Sequence, residues 1–184
     1  MIFSILLGIG LSSAVGFRIF VPALVTSLAA HFGYIELADN MGWMSSQTAI
    51  ITFGVATLLE IFGYYIPFVD NLLDVIAAPA AAICGTLLMG STIVEMEPFI
   101  KWPISVIAGG GIATAVQSGT SVARATSSTF TAGLGNPILS TIEAVIAAVL
   151  SVVSILLPVV AGVFVLWLVF KLYSLRAKKN KRAV

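Results

Sequence analysis

The sequence predicts an all-α integral membrane protein of about six transmembrane segments. Three observations carry that expectation: 59% of the 184 residues are hydrophobic and only 9% are charged; mean hydropathy is +1.11; and the apolar residues fall into long stretches joined by short polar connections. A water-soluble domain needs more charge than this to cover itself. A membrane helix takes roughly 20 apolar residues, so the length provides about six spans and no separate soluble domain.

The first apolar stretch, Ile2 to Gly33, is too long for one straight span and is interrupted by Gly8, Gly10, Gly16, Arg18 and Pro22. Proline removes a backbone hydrogen bond and glycine loosens the chain, so a helix broken between Gly16 and Pro22 is expected. The stretch carries no basic residue ahead of its apolar run and continues past Arg18, so it reads as retained structure and not as a cleaved signal. A polar loop, Tyr34 to Gln47, holds Glu36 and Asp39. Spans follow at about Thr48 to Ile66 and Leu72 to Val94, joined by a turn at Pro67 to Asn71. The loop Glu95 to Trp102 leads to a second long interrupted stretch, Pro103 to Gly135, which carries Arg124. Beyond Asn136 and Pro137 the chain is apolar to Tyr173, and Pro158 divides it into two segments.

Six of the nine basic residues (Lys171, Arg176, Lys178, Lys179, Lys181, Arg182) sit at the C-terminal end, which the positive-inside rule places in the cytoplasm. With six spans both termini share that side and the two acidic loops lie outside. If Pro158 only kinks one helix, five spans remain and the N-terminus moves outside.

Sliding the chain on itself sets Gly10, Leu11, Ala14, Val15, Val21 and Ser27 against Gly111, Ile112, Ala115, Val116, Val122 and Ser128. A second offset sets Ala56, Leu59, Pro67 and Val69 against Ala147, Leu150, Pro158 and Val160. The expected organisation is therefore a first three-helix repeat over 1–95, a second over 96–175 and a basic tail over 176–184. Three spans per half make the second half inverted, each half beginning with a broken helix. Broken segments at matching positions of two halves point to a substrate site near the midplane.

Arg18 and Arg124 lie inside those segments. An intramembrane charge is expensive and finds a partner. Two readings stand: an anion site in which guanidinium groups and half-helix N-termini face a carboxylate or phosphate, or structural ion pairs with Glu60 or Glu143. Ser127, Ser128 and Asn136 follow Arg124 and either cradle the same anion or satisfy backbone groups. Glu60 and Glu143 are candidates for a proton or cation relay. Asp70 and Asp74 share one helix face beside the Pro67 turn and read as an interfacial cap.

Cys84, the lone cysteine, excludes an intrachain disulfide. His31, the lone histidine, reads as an interfacial residue at a helix end, and a histidine-based metal site or triad is excluded. Gly109 to Gly111 follows no strand and lacks the Lys and Ser/Thr of a nucleotide loop. Small residues four apart (Gly8, Ser12, Gly16; Ala78, Ala82, Thr86, Gly90) mark close helix packing or a homo-oligomer face. No metal, cofactor or nucleic-acid partner is expected. The tail would meet anionic lipid headgroups.

Gly16-Phe17-Arg18 with Pro22, Ile66-Pro67 with Asp70 and Asp74, and Gly133-Leu134-Gly135-Asn136-Pro137 followed by Ser140 and Glu143 together resemble a bacterial membrane-protein family known only as a domain of unknown function. The likeness spans nearly the whole chain. Family members often carry an acid directly after the glutamate and a basic residue before the Ile-Pro pair, where this chain has Ala144 and Tyr65. The resemblance implies a bacterial inner-membrane location and brings no activity, substrate or catalytic residue. The functional expectation is a small transporter, or a lipid or anion translocase, with a midplane site. The alternative is a non-catalytic scaffold or accessory subunit. An enzyme is not expected, because the acids form no recognisable catalytic grouping.

Overall fold

The computed structural model describes residues 1–131 and 135–181, and among them every regular element is helical. In chain order these are α1 (Ile2–Val15), α2 (Phe20–His31), a 3₁₀ turn (Asp39–Ser45), α3 (Gln47–Gly63), α4 (Pro67–Thr92), α5 (Pro98–Ile104), a π-helical turn (Ser105–Gly110), α6 (Gly111–Thr131), α7 (Asn136–Leu156) and α8 (Pro158–Lys181). Pro67, Pro98 and Pro137 open their helices, where the missing N–H removes nothing the first turn would use. Three helical stretches are long and apolar enough to cross a membrane, Leu72–Thr92, Pro98–Thr131 and Asn136–Leu156, and a fourth if the bent pair Asp39–Ser45 and Gln47–Gly63 counts as one. Their outward faces are apolar, with Ile51, Leu59, Val75, Ile83, Val122 and Val145 more than half exposed. Such an exterior is compatible with a multi-pass membrane protein and unsuited to water.

The first stretch breaks where expected, between Val15 and Phe20, but it does not continue across. The Met1 amino group lies 3.6 Å from Glu95, Thr92 Oγ1 donates to the Ser4 carbonyl at 3.1 Å, and the Ala38 amide donates to the Ser91 carbonyl at 2.8 Å. The start of α1 and the segment after α2 therefore sit together at the C-terminal end of α4. At the other extreme, Ser12 Oγ donates to the Gly85 carbonyl and Cys84 Sγ to the Ile19 carbonyl, so the break lies beside the middle of α4. α1 and α2 form a hairpin that enters and leaves at one end. α1 is 14 residues long, about 21 Å, short of a hydrocarbon core of about 30 Å.

This hairpin corrects the sequence-based topology. Among the described residues of the first half, α4 and, taken with its bent partner, α3 are the stretches long and apolar enough to cross, so the three spans per half on which an inverted repeat rests are not seen. The N-terminus lies with both acidic loops, and the expectation of six spans with both termini on the opposite side gives way. The second long stretch is not broken at its arginine: Pro98–Thr131 is one 34-residue helix, relieved only by the π turn, with Arg124 in its interior. The loop expected over Glu95 to Trp102 is already helical from Pro98. Pro158 does divide the last stretch, with Leu157 non-helical at φ −135 and ψ 64. Of the Gly133 to Pro137 turn, Gly133 and Leu134 lie outside the described residues, as does Arg182 of the tail.

The core is built on close backbone approach. A Cβ on Gly85 would lie 2.5 Å from Ala113 Cβ and 2.7 Å from the Gly109 carbonyl, so α4 meets the π turn and α6 as near as backbones allow. Leu7, Leu11, Val15, Ala81, Leu88 and Ala113 pack around that line, with Met41 and Met44 closing the hairpin's open end.

Two outcomes test this arrangement. In a Cys84→Ala background, Ile2→Cys, Tyr34→Cys and Glu95→Cys are all labelled by a membrane-impermeant maleimide from the same side; labelling of Ile2→Cys from the side opposite Tyr34→Cys removes the hairpin. Gly85→Val lowers thermal stability in detergent by about 1–3 kcal/mol through overpacking, whereas Gly54→Val, with open space around Gly54, leaves it within about 0.5 kcal/mol.

Candidate functional site

The hairpin tip is a stretch of irregular backbone, Gly16 to Ile19, within an apolar fold, and its polar groups need partners. The amides of Gly16, Phe17 and Arg18 turn back onto Ser13 and Ala14 carbonyls. The next two are taken by Glu60 of α3, whose Oε1 accepts from the Ile19 amide at 2.8 Å and Oε2 from the Phe20 amide at 3.0 Å. Glu60 thus caps the N-terminus of α2 from a different helix, where the helix dipole favours negative charge.

Arg18 projects from the tip and is 1% exposed. Its Nη2 donates to the Ser140 carbonyl at 3.0 Å and to Ser140 Oγ at 2.6 Å, and lies 3.2 Å from Glu143 Oε2, all on α7. The other oxygen of Glu143 lies 3.6 Å from Arg124 Nε. Arg124, also 1% exposed, faces two further carboxylates one helical turn apart on α4: Asp70 Oδ1 at 3.6 Å from Nη1 and Asp74 Oδ1 at 3.2 Å from Nη2. The Tyr64 ring, at the end of α3, stacks on both guanidinium groups, with its centroid 3.9 Å from Arg18 Cζ and 4.2 Å from Arg124 Cζ. Asn136 completes the group from the start of α7, donating from Nδ2 to Asp70 Oδ2 at 2.7 Å and to Ser128 Oγ at 2.9 Å.

Of the residues singled out from sequence, Arg18, Arg124, Glu143, Asn136 and Ser128 come together in one network, and Glu60 stands beside it as a cap. Glu143 pairs with both arginines; Glu60 pairs with neither. Ser127 is not bonded into the network; its hydroxyl sits where a Cβ on Gly135 would be, 2.6 Å away. Thr126, Thr129 and Thr131 donate to carbonyls four residues back on their own helix, so this hydroxyl run serves backbone satisfaction and not an anion cradle. Asp70 and Asp74 are not an interfacial cap: Asp70 is 2% exposed and both face Arg124. Tyr64 carried no sequence signal for membership, and Ser140 carried only its place in the family-like motif after Pro137.

Two features make the network more than a set of matched pairs. Three carboxylates (Asp70, Asp74, Glu143) meet two guanidinium groups. Several buried polar atoms also lack a hydrogen bond and an ion pair: Arg18 Nε and Nη1 as donors, and Asn136 Oδ1 as an acceptor. Unsatisfied buried groups are rare and costly, so each calls for a physical explanation. Among the described residues no group of His, Cys, Asp and Glu has metal-site geometry. Two apolar clefts lie elsewhere, one between α2 and α7 lined by Val25, Leu28, Phe32, Val152 and Ile155, the other along Val159 to Trp167 of α8.

Removing one member of so buried a network strands its partners. Glu143→Gln and Arg124→Gln are each expected to destabilise the protein by about 3–5 kcal/mol, measured by thermal unfolding in detergent, while Ser127→Ala stays within about 0.5 kcal/mol. Equal small effects of all three would show that the network contributes nothing to the fold.

No curated protein and no solved structure matches the chain. The family described as Domain of unknown function (DUF4126) matches residues 5–177, which takes in the hairpin, the whole charged network and most of α8. The chain belongs to that family.

Proposed function

We propose that the protein is a small membrane transporter whose solute passes the tip of the α1–α2 hairpin, in a bacterial inner membrane. The observation that carries this reading is the combination, at one buried place, of irregular backbone, stacked arginines, excess carboxylates and unsatisfied donors and acceptors. Half-helices ending beside a charged cluster inside the membrane are the usual architecture of ion and solute paths. A free anion has a weak claim on this site, since each guanidinium already faces a carboxylate and the N-terminus of α2 holds Glu60. A zwitterion suits it better. Its acidic group would take the spare Nε and Nη1 of Arg18, and its amine would answer the surplus carboxylates and Asn136 Oδ1. A free amino acid and a phosphatidylethanolamine headgroup share that chemistry.

The hairpin also supports an orientation. If α3, α4, α6, α7 and α8 each cross, there are five crossings, the acidic loops and N-terminus lie outside, and the basic tail lies in the cytoplasm as the positive-inside rule asks.

Proteoliposomes decide the question with two probes, labelled alanine in the lumen and a fluorescent phosphatidylethanolamine in the bilayer. One of the two is expected to move faster than in empty vesicles, with a tenfold or greater loss in Arg18→Lys, which keeps the charge and loses the spare donors. Movement of neither ends the proposal. One observation favours a second reading, a scaffold subunit: both arginines are almost fully enclosed. A stoichiometric partner retained through purification from native membranes, with no flux in liposomes, would establish it.

A further inference from the structure

We propose that Asp70 and Asp74, with Asn136, form a proton-binding site whose more accessible member is Asp74. Four observations meet there. Asp70 and Asp74 stand one turn apart on α4 and share a single guanidinium, that of Arg124. Two carboxylates on one cation leave a surplus negative charge, and in a buried setting such a charge is neutralised by a proton instead of being carried. Asn136 is 7% exposed; its Nδ2 is committed to Asp70 Oδ2 and Ser128 Oγ, while its Oδ1 has no partner. That oxygen is a spare buried acceptor on the residue that already bonds Asp70. Finally, the two acids differ in access: the Asp70 side chain is 2% exposed and the Asp74 side chain 24%, so Asp74 offers the way in and Asp70 the sheltered end.

The charged and titratable groups facing the pair come from every element around it. Arg124 of α6 touches both acids, Glu143 of α7 shares Arg124 with them, and Tyr64 at the end of α3 lies 3.5 Å from Asp74 Oδ1 through its hydroxyl. Arg18 of the hairpin tip stacks on the same Tyr64 ring. Glu60 is engaged with two backbone amides and Glu143 with two arginines, so the commitments of both acids lie outside the Asp pair. A proton on the pair frees part of Arg124 for Glu143, which in turn changes what Glu143 offers Arg18. The proton site rests on the geometry alone; its use to drive solute past the hairpin rests on the transport reading above.

Infrared difference spectra of the purified protein, recorded between mildly acidic and mildly alkaline buffer, test the site without any substitution. A protonated-carboxyl band that shifts when the protein is produced with ¹³C-labelled aspartate, and is unmoved by ¹³C-labelled glutamate, is the expected result. Asp74→Asn should abolish that band, and Asn136→Leu should displace it. A band that follows glutamate labelling, or no band at all, overturns the proposal. In vesicles holding a pH-sensitive dye, an outward solute gradient should drive proton movement in the wild type and not in Asp74→Asn. Solute flux indifferent to pH with no aspartate band sinks the proton site and leaves the transporter standing, whereas an aspartate band without flux of any probe does the reverse.

Discussion

Glu143 is the residue through which the fold's charges are tied together. One of its oxygens meets Arg18 at the hairpin tip and the other meets Arg124 in the middle of α6. Through Arg124 the tie extends to Asp70 and Asp74 on α4, and through Tyr64 to the end of α3. A hairpin that turns back within an apolar environment must satisfy its exposed amides and anchor its tip, because neither lipid nor water-filled solvent does so there. Glu60 supplies the first requirement and the Arg18–Glu143–Ser140 contacts supply the second. Removing either leaves a charge or two amides stranded in a medium where each costs several kcal/mol.

The same constraint explains why the hairpin can exist at all. Its first short helix, α1, lies against α4 over small residues, with Gly8 facing Met89 and Thr92 and Ser12 bonding to Gly85, while Gly10 faces Ser154 and Ala161 on the other side. Larger side chains at those positions would hold the helices apart and leave the tip's polar groups away from their partners. Packing and electrostatics are therefore joined: glycine-lined contacts bring the arginines within reach of the acids, and the ion pairs keep the short helices in place. The surplus of carboxylates goes beyond what that structural duty requires, which is why the network is read as a working site and not only as a clamp.

The membrane character of the chain, the helix breaks between Gly16 and Pro22 and at Pro158, and the need of Arg18 for an acidic partner, Glu60 or Glu143, were legible in the residues. Composition, proline and glycine act locally, and a buried charge must find a partner wherever it sits. The partner sets were less legible. Asp70 and Asp74 look like an interfacial cap because they flank a proline turn, and only the approach of α6 turns them into the counter-ions of Arg124. Glu60 looks like a relay acid, and only the position of the hairpin tip makes it a helix cap.

By itself, then, the sequence determined an all-helical, lipid-compatible chain with two intramembrane arginines that had to be neutralised, because hydropathy and the cost of a bare charge depend on residue type alone. The tertiary structure decided that the first stretch returns to the end of α4 it came from and that the second passes its arginine unbroken. The reason is physical: a break in a helix permits either a bend or a reversal, and the choice is made by contacts from Ser4 to Thr92, Ala38 to Ser91 and Glu60 to Ile19. Residues so far apart in sequence leave no local mark of their meeting.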